Sequence, residues 1–371
     1  MNADILIIGG GIQGCASAFH LARQGASVIV MEKDYVARHA SGVNAGGVRL
    51  LGRDMAEVAM SKASMDLWQT LDETLGEDTG FRRKTLINIA VDAGDLGTLR
   101  AREAQMHAAG YTHERIIDRD ELRAVLPHVH PSCVGGSMSE LDGYAIPYKA
   151  TAAYRRAAER HGAQFIEGAE LTSLRRIGSA WIARTQTGTY EAAKVVNCAG
   201  AWADRVAMMI GDHAPLSHAA PMLMITARLP HFAGPVVGAV SRQLSFKQFE
   251  NGTVLIGGGA KGFAERDRNT TRLDYAKLAA ASKTAIDFFP IMKTASINRM
   301  WAGLEAYMPD NLPVIGPAVN AIDAYHAFGF SAHGFQMGPI VGQVIADLVL
   351  TGATAYDLNA FRIDRYDRKI L

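Results

Sequence analysis

DILIIGGGIQGCASAFHLARQGASVIVMEK, residues 4–33, decides the reading of the whole chain. Residues 4–8 are a short apolar run with β-branched side chains, bounded by glycines, the pattern of a buried parallel strand. Gly9, Gly11 and Gly14 then stand in G-x-G-x-x-G spacing. Residues 12–24 follow a helical period with Ala16, Phe19 and Ala22 toward the buried side, and Gly25 is the stop. Residues 27–31 are a second apolar strand, which ends on Glu32.

Each residue type has a physical reason. Gly9 allows a tight turn out of the strand, Gly11 lets a pyrophosphate approach the backbone, and Gly14 lets the helix lie close to the strand. The free N–H groups and positive dipole end of the helix favour phosphates. Glu32 follows at the distance where a carboxylate meets ribose hydroxyls. A glycine triplet alone is weak, but strand, triplet, helix, strand and acid agree here on a dinucleotide. The acid at position 32 argues against a 2′-phosphate, hence against NADP.

Working outward, 371 residues suffice for two domains and a large core. A net charge of +1 implies neither nucleic acid nor an anionic membrane surface as partner. No apolar run reads as long enough to span a bilayer, and the immediate entry into a strand leaves no room for a signal peptide. Cys15, Cys133 and Cys198 are isolated, without metal or iron–sulfur spacing, so no metal site is expected. They read as small buried hydrophobes in a reducing, cytoplasmic compartment.

Residues 33–54 are rich in Gly, Ser and Asn and read as a loop in which Ser41 and Asn44 hydrogen-bond a ligand and Arg49 serves an anion. Residues 55–76 read as one amphipathic helix with Met55, Val58, Ala59, Leu67, Trp68 and Leu71 near one side. The α/β alternation then lapses, resumes near Pro147, and reaches an apolar strand at 194–198 followed by AGAWAD. Residues 215–307 are β-rich around one helix, the pattern of an antiparallel sheet. Lys247 lies in an apolar strand there, either at a rim or aimed at a site. The C-terminal part returns to α/β character. Residues 331–339 read as a polar loop opening a helix at 340–350, with His333 just ahead of it.

The fold class expected is therefore α/β: a Rossmann-like dinucleotide-binding domain (1–84, 142–213 and 311–371) with a discontinuous β-rich substrate domain (85–141 and 214–310). The opening stretch, ASGVNAGGVR, VVNCAGAWAD and HGFQMGPIVGQVIADLV, in that order, resemble the FAD-dependent family of D-amino-acid, glycine and sarcosine oxidases. The stretch RMWAGLEAYMPDNLPVIGP, residues 299–317, is similar to the FAD-carrying subunit of heteromeric opine and D-hydroxyproline dehydrogenases and of the hydrogen-cyanide-forming complex.

By this resemblance Gly9, Gly11, Ile12, Gln13, Gly14, Glu32 and Lys33 hold the ADP half of FAD. Ser41, Asn44, Ala45 and Gly47 approach the pyrophosphate and flavin, and Leu171 offers backbone to the adenine. Ala199, Gly200 and Trp202 join the same shell. His333, Gly334, Phe335, Gln336, Met337 and Gly338 lie at the flavin's pyrimidine edge. Gly303 matches the cysteine that holds FAD covalently in monomeric sarcosine oxidase, which implies non-covalent FAD. Lys247 matches a flavin-facing lysine tied to oxygen reactivity. The implied reaction removes hydride equivalents from a C–H next to an amine, with Arg49 on the substrate carboxylate and Glu305 or His333 governing amine protonation. Partner subunits with an iron–sulfur centre or FMN would carry electrons onward. A stand-alone peroxide-forming oxidase and an FAD-linked 2-hydroxy-acid dehydrogenase remain as alternatives.

Overall fold

The opening strand spans Asn2–Ile8 and has a parallel neighbour on each side, Val28–Met31 and Thr189–Asn197. Its last four residues are all buried, as both faces of such a strand are covered. Gln164–Ile166 extends the sheet beyond Val28–Met31. On the other side Leu171–Ile177, Ala180–Thr185 and Thr189–Asn197 form the antiparallel meander read from the sequence. Ala324–Phe328 then lies parallel to the end of Thr189–Asn197, with Val314–Pro317 antiparallel to it. The eight strands thus come from three separate parts of the chain. The computed structural model describes residues 1–369, with side chains through residue 366. Residues 370 and 371, the end of the expected 311–371 segment, lie outside the described residues.

The first helix, Ile12–Arg23, is buried at every position from Ile12 to Ala22, not only along the side marked by Ala16, Phe19 and Ala22. It is wedged between the sheet and two helices, Pro147–Arg160 and Gly334–Thr351. The second of these fits closely. A Cβ on Gly342 would stand 2.6 Å from the Ala16 Cβ and 2.7 Å from its carbonyl carbon. Gly342→Val is therefore expected to lower stability by about 2–4 kcal/mol, because backbone cannot yield as a flexible side chain does. Thermal or urea unfolding of the variant checks this, and an unchanged midpoint would contradict the fit.

Helix Gly334–Thr351 corrects two expectations. It starts six residues before the expected 340, and by length and composition it is long enough to cross a membrane. Most of it is buried within the protein against the first helix. The helix expected at 55–76 is two, Val58–Gln69 and Leu71–Leu75, separated at Thr70. Its inward side is Val58, Met60, Ser61, Ser64, Met65 and Trp68, with Ala59 turned outward.

An eleven-stranded second sheet draws on residues 86–139 and 217–307. Its core includes Ile87, Phe246 and Phe289, with the two phenyl rings stacked at 4.6 Å between centroids. One pair departs from the expected antiparallel order: Val236–Ala239 runs parallel to Leu86–Ala90. No hairpin joins these two strands, which are far apart in sequence, so their direction is free of that constraint.

Candidate functional site

Four parallel strands of the first sheet end at one place. Gly9, Glu32, Cys198 and Gly329 follow Ile8, Met31, Asn197 and Phe328 there, and all four line a cavity of about 540 Å³. Ligands of open α/β sheets bind beyond the carboxyl ends of the strands at such a point. The opposite wall comes from the second sheet, with Leu86, Asn88, Leu223, Val237, Gly238 and Leu244 among its residues.

The glycine turn is built for close approach. Gly9 has φ +111°, and a Cβ there would overlap the Cys198 carbonyl oxygen. A Cβ on Gly14 would overlap the Gly9 carbonyl oxygen, which is why Gly14 shapes the turn from behind and does not line the cavity. Gly11 opens the helix with no side-chain cap of its own, and no acidic residue occupies the first turn. Glu32 braces the turn: Oε2 accepts from the Gly10 N–H at 2.8 Å and Oε1 from the Asp34 N–H at 2.9 Å. Burial pushes its carboxyl up, against the pull of those two N–H groups.

Ser41 Oγ accepts from the Ile12 N–H at 2.9 Å and so ties the 33–54 segment to the turn. Asn44 spends its amide on the local backbone, donating to the Ala40 carbonyl at 2.7 Å and accepting from the Gly46 N–H at 2.6 Å. Gln13 donates to the Gly334 carbonyl at 2.8 Å, while its Oε1 is buried without a partner among the described residues. Ile12, Gln13, Ser41, Asn44, Ala45, Gly47, Leu171, Ala199 and Gly200 all line the cavity. Lys33 and Trp202 line it as a pair, the ammonium 3.5 Å from the indole centroid. Gly303 lines it too, and a Cβ there would overlap Val43 Cγ2, so a larger residue at this position would require Val43 to move. A glycine cradle, a helix start with no acidic residue in its first turn and an unpartnered Gln13 oxygen fit an adenine dinucleotide.

Several expected residues stand elsewhere. Because the helix begins at Gly334, only Gly334 and Phe335 of the 333–338 stretch line the cavity. Gln336 is wholly buried: Nε2 donates to the Ser61 carbonyl at 2.8 Å, and its own carbonyl accepts from Ser64 Oγ at 2.6 Å and Trp68 Nε1 at 2.8 Å. Met337 packs on Ser61 and Gly338 on Ile12. His333 faces inward, with Nδ1 3.4 Å from Glu57 Oε2, and is not part of the cavity wall. Burial lowers its pKa, with Glu57 opposing. Lys247 also lies behind the wall. Its ammonium donates to the Ala45 carbonyl and sits 4.9 Å from the Tyr144 ring centroid and 5.3 Å from that of Phe249. Burial pushes it down to about 7.

Arg49 does line the cavity, and its guanidinium has no hydrogen-bond acceptor among the described residues. Burial lowers its pKa, while Asp142, Glu57 and Glu114 favour the charge. Arg53, a residue the sequence reading passed over, is buried beside it and also borders the cavity, with Nη1 unpartnered among the described residues. It donates to the Arg49 carbonyl at 2.9 Å and to Gln336 Oε1 at 3.0 Å, and burial brings it to about 9. Burial would lift the Glu57 carboxyl, but His333, Arg53 and Arg49 outweigh it and hold it below the usual range. No periodicity signals this cluster, because residues 49–57 are irregular and the three side chains meet through tertiary packing.

Glu305 lines the cavity and accepts from the Ala332 N–H at 2.8 Å. Ser331 and Ala332, at φ +49° and +73°, hold that N–H in place. Burial pushes the Glu305 carboxyl up to about 7. The folded state thus keeps a proton that the unfolded chain releases near 4.5, so this contribution to stability is lost as pH rises from 4.5 through about 7. With the ionised form taking a proton from substrate, turnover rises as pH passes through about 7. Glu305→Gln is expected to remove that inflection, and Lys247→Met, at a group that titrates nearby, to keep it. The pH profiles of kcat/KM for the two variants check this.

Mitochondrial dimethylglycine dehydrogenase of Mus musculus is 26% identical over 394 residues, covering 99% of this chain and 44% of that protein. The chain spans less than half the length of the dimethylglycine dehydrogenases it matches. A subunit of the opine oxidase of Rhizobium meliloti is 24% identical, covering 99% of this chain and 98% of that one. Among solved structures, L-proline dehydrogenase from P. horikoshii superposes with a TM-score of 0.92 at 27% identity, covering 99% of this chain and 98% of that one. A family model described as FAD dependent oxidoreductase matches residues 4–348. With the glycine cradle and the cavity beyond it inside that match, the chain belongs to the FAD dependent oxidoreductase family.

Proposed function

We propose that the chain is the FAD-carrying subunit of a heteromeric dehydrogenase that oxidises the C–N bond of an amino acid or secondary amine such as an opine. The observation that carries the reading is the Arg49 guanidinium, lining the cavity without a protein acceptor among the described residues. A buried cation of that kind calls for an anion, and a planar fork suits a carboxylate.

FAD, when bound, supplies the two-electron acceptor. The chain's own residues do the rest. The glycine turn and the start of the first helix hold the phosphates, and Glu32, Lys33 and Trp202 enclose the adenosine end. Arg49 binds the substrate carboxylate and orients the adjacent carbon. Glu305, ionised, takes the ammonium proton, since an amine gives up hydride readily only when neutral. Leu86, Leu223, Val237 and Leu244 keep water from the reacting carbon. Gly303, which carries no thiol, supports dissociable FAD.

The likeness to the opine oxidase chain, itself one subunit of its enzyme, supports partner subunits that receive the electrons. The ammonium of Lys247, spent on the Ala45 carbonyl, supports a dehydrogenase over an oxidase. Three free, buried thiols, Cys15, Cys133 and Cys198, suit a cytoplasmic protein. The deciding experiment is anaerobic bleaching of the bound flavin against opines, D-amino acids, proline, N-methylglycine and 2-hydroxy acids. Bleaching by an amine with little peroxide in air is expected. Bleaching by hydroxy acids alone would overturn the substrate class, and rapid peroxide formation would overturn the dehydrogenase assignment.

A further inference from the structure

One polar side chain of the second sheet reaches the cavity with nothing to bind. Asn88 sits in strand Leu86–Ala90, and neither its Oδ1 nor its Nδ2 has a hydrogen-bond partner among the described residues. Its neighbours in the wall, Leu86 and Val237, are apolar. A primary amide left unmatched among apolar groups is unfavourable unless a ligand or water completes it.

The backbone makes room for this amide. Asn88 is in register with Gly238 on the parallel strand, and a Cβ on Gly238 would overlap Asn88 Oδ1. The other end of the amide faces Arg49: a Cβ built on Gly52 would stand 3.6 Å from both Asn88 Nδ2 and Arg49 Nη1. An amide donor and a guanidinium donor, carried by different segments, thus both lie beside Gly52, and both residues line the cavity.

We propose that Asn88 is a specificity-determining residue that completes the carboxylate site of the substrate. The amide Nδ2 donates to one carboxylate oxygen while Arg49 donates to the other. Gly238 is the clearance that holds the amide in this pose. The site is then selective for a carboxylate over its neutral amide, because a primary amide presents one acceptor oxygen where two donors converge. This rests on the carboxylate role given to Arg49 in the proposed function.

The test uses the holoenzyme, with propionate and propionamide as probes and the visible spectrum of the oxidised flavin as the readout. Asn88→Asp keeps the shape and replaces the donor with an acceptor. It is expected to weaken propionate about tenfold or more while changing propionamide by about twofold or less. Gly238→Ala, which leaves the amide in place chemically but crowds it, is expected to weaken propionate in the same direction by about threefold to tenfold. Unchanged propionate affinity in Asn88→Asp with full flavin content overturns the proposal, as does an equal loss for both probes. If Asn88→Asp does not accumulate as holoenzyme, Gly238→Ala alone decides by the same criterion. Arg49→Gln separates the two readings. If it abolishes propionate binding and the Asn88 variant does not, only the role of Asn88 falls. If it too has no effect, the carboxylate reading beneath it falls as well.

Discussion

Arg49→Leu is expected to raise KM for a carboxylate-bearing amine about a hundredfold, with flavin content and visible spectrum unchanged. Removing one partner of a desolvated charge pair costs about 2–5 kcal/mol, and the low end of that range is already more than an order of magnitude in affinity. The loss should fall on binding, because Arg49 grips a group that keeps its charge throughout the reaction. Arg53 also borders the cavity, but its Nε and Nη2 are committed to the Arg49 carbonyl and to Gln336 and only its Nη1 is unpartnered among the described residues, so it should replace Arg49 only in part. Those bonds involve the Arg49 backbone and not its side chain, so the loop should keep its shape in the variant. An amine without a carboxylate should be insensitive to the change. A rise of less than a few-fold would remove the anion-binding role, and with it the reason for choosing amino acids over simple amines.

Gly14→Ala is expected to give colourless protein. The added methyl would overlap the Gly9 carbonyl oxygen, and Gly9 cannot retreat, because it already abuts the Cys198 carbonyl. The turn must open, which moves the Gly10 N–H away from Glu32 and the start of the first helix out of line with the cavity. Affinity for FAD should fall about a hundredfold or more, with a loss of stability of about 2–4 kcal/mol. The ratio of flavin to protein absorbance after purification reads the first effect, and thermal unfolding the second. Gly97→Ala is the control: it lies in helix Ala93–Ala108 with nothing within 4 Å of a built Cβ. It should be neutral or gain up to about 1 kcal/mol from helix propensity. Full flavin occupancy in Gly14→Ala would mean that the turn tolerates a side chain and that its glycine spacing is incidental.

What was legible in the chain is what local chemistry dictates. The strand, the glycine triplet, the first helix and Glu32 lie within thirty residues, and each constrains the next, so the cofactor end of the site could be read directly. The start of the last helix could not. Gly334, Gly338 and Pro339 look like breakers, yet the glycines are there so that Phe330 and Ile12 can pack against bare backbone. Close to Pro339 the Gln336 carbonyl accepts from Ser64 Oγ and Trp68 Nε1, which ties the start of the helix to Val58–Gln69. Those partners lie far back in the chain, beyond any periodicity. The same holds for the Arg53, Glu57 and His333 cluster and for Asn88, whose importance depends on a glycine in another strand. Lys247 was expected either at a rim or aimed at a site; it is buried behind the cavity wall, because the direction in which it points is a tertiary property.

The interleaving of the first sheet has a bearing on how the polypeptide is made. Residues 2–8 leave the ribosome early, yet their neighbour at 189–197, and that strand's partner at 324–328, are synthesised much later. The apolar flank of the first helix is sheltered only once Gly342 has settled on Ala16. Nascent chains are therefore expected to expose a greasy, unpaired α/β unit until the later segments have been made, a state that chaperones hold and that aggregates when they are scarce. Since the cavity is lined by residues from both early and late segments, FAD is expected to be captured only once the later segment has joined the sheet, so flavin shortage during expression should show up as insoluble protein rather than as soluble apoprotein.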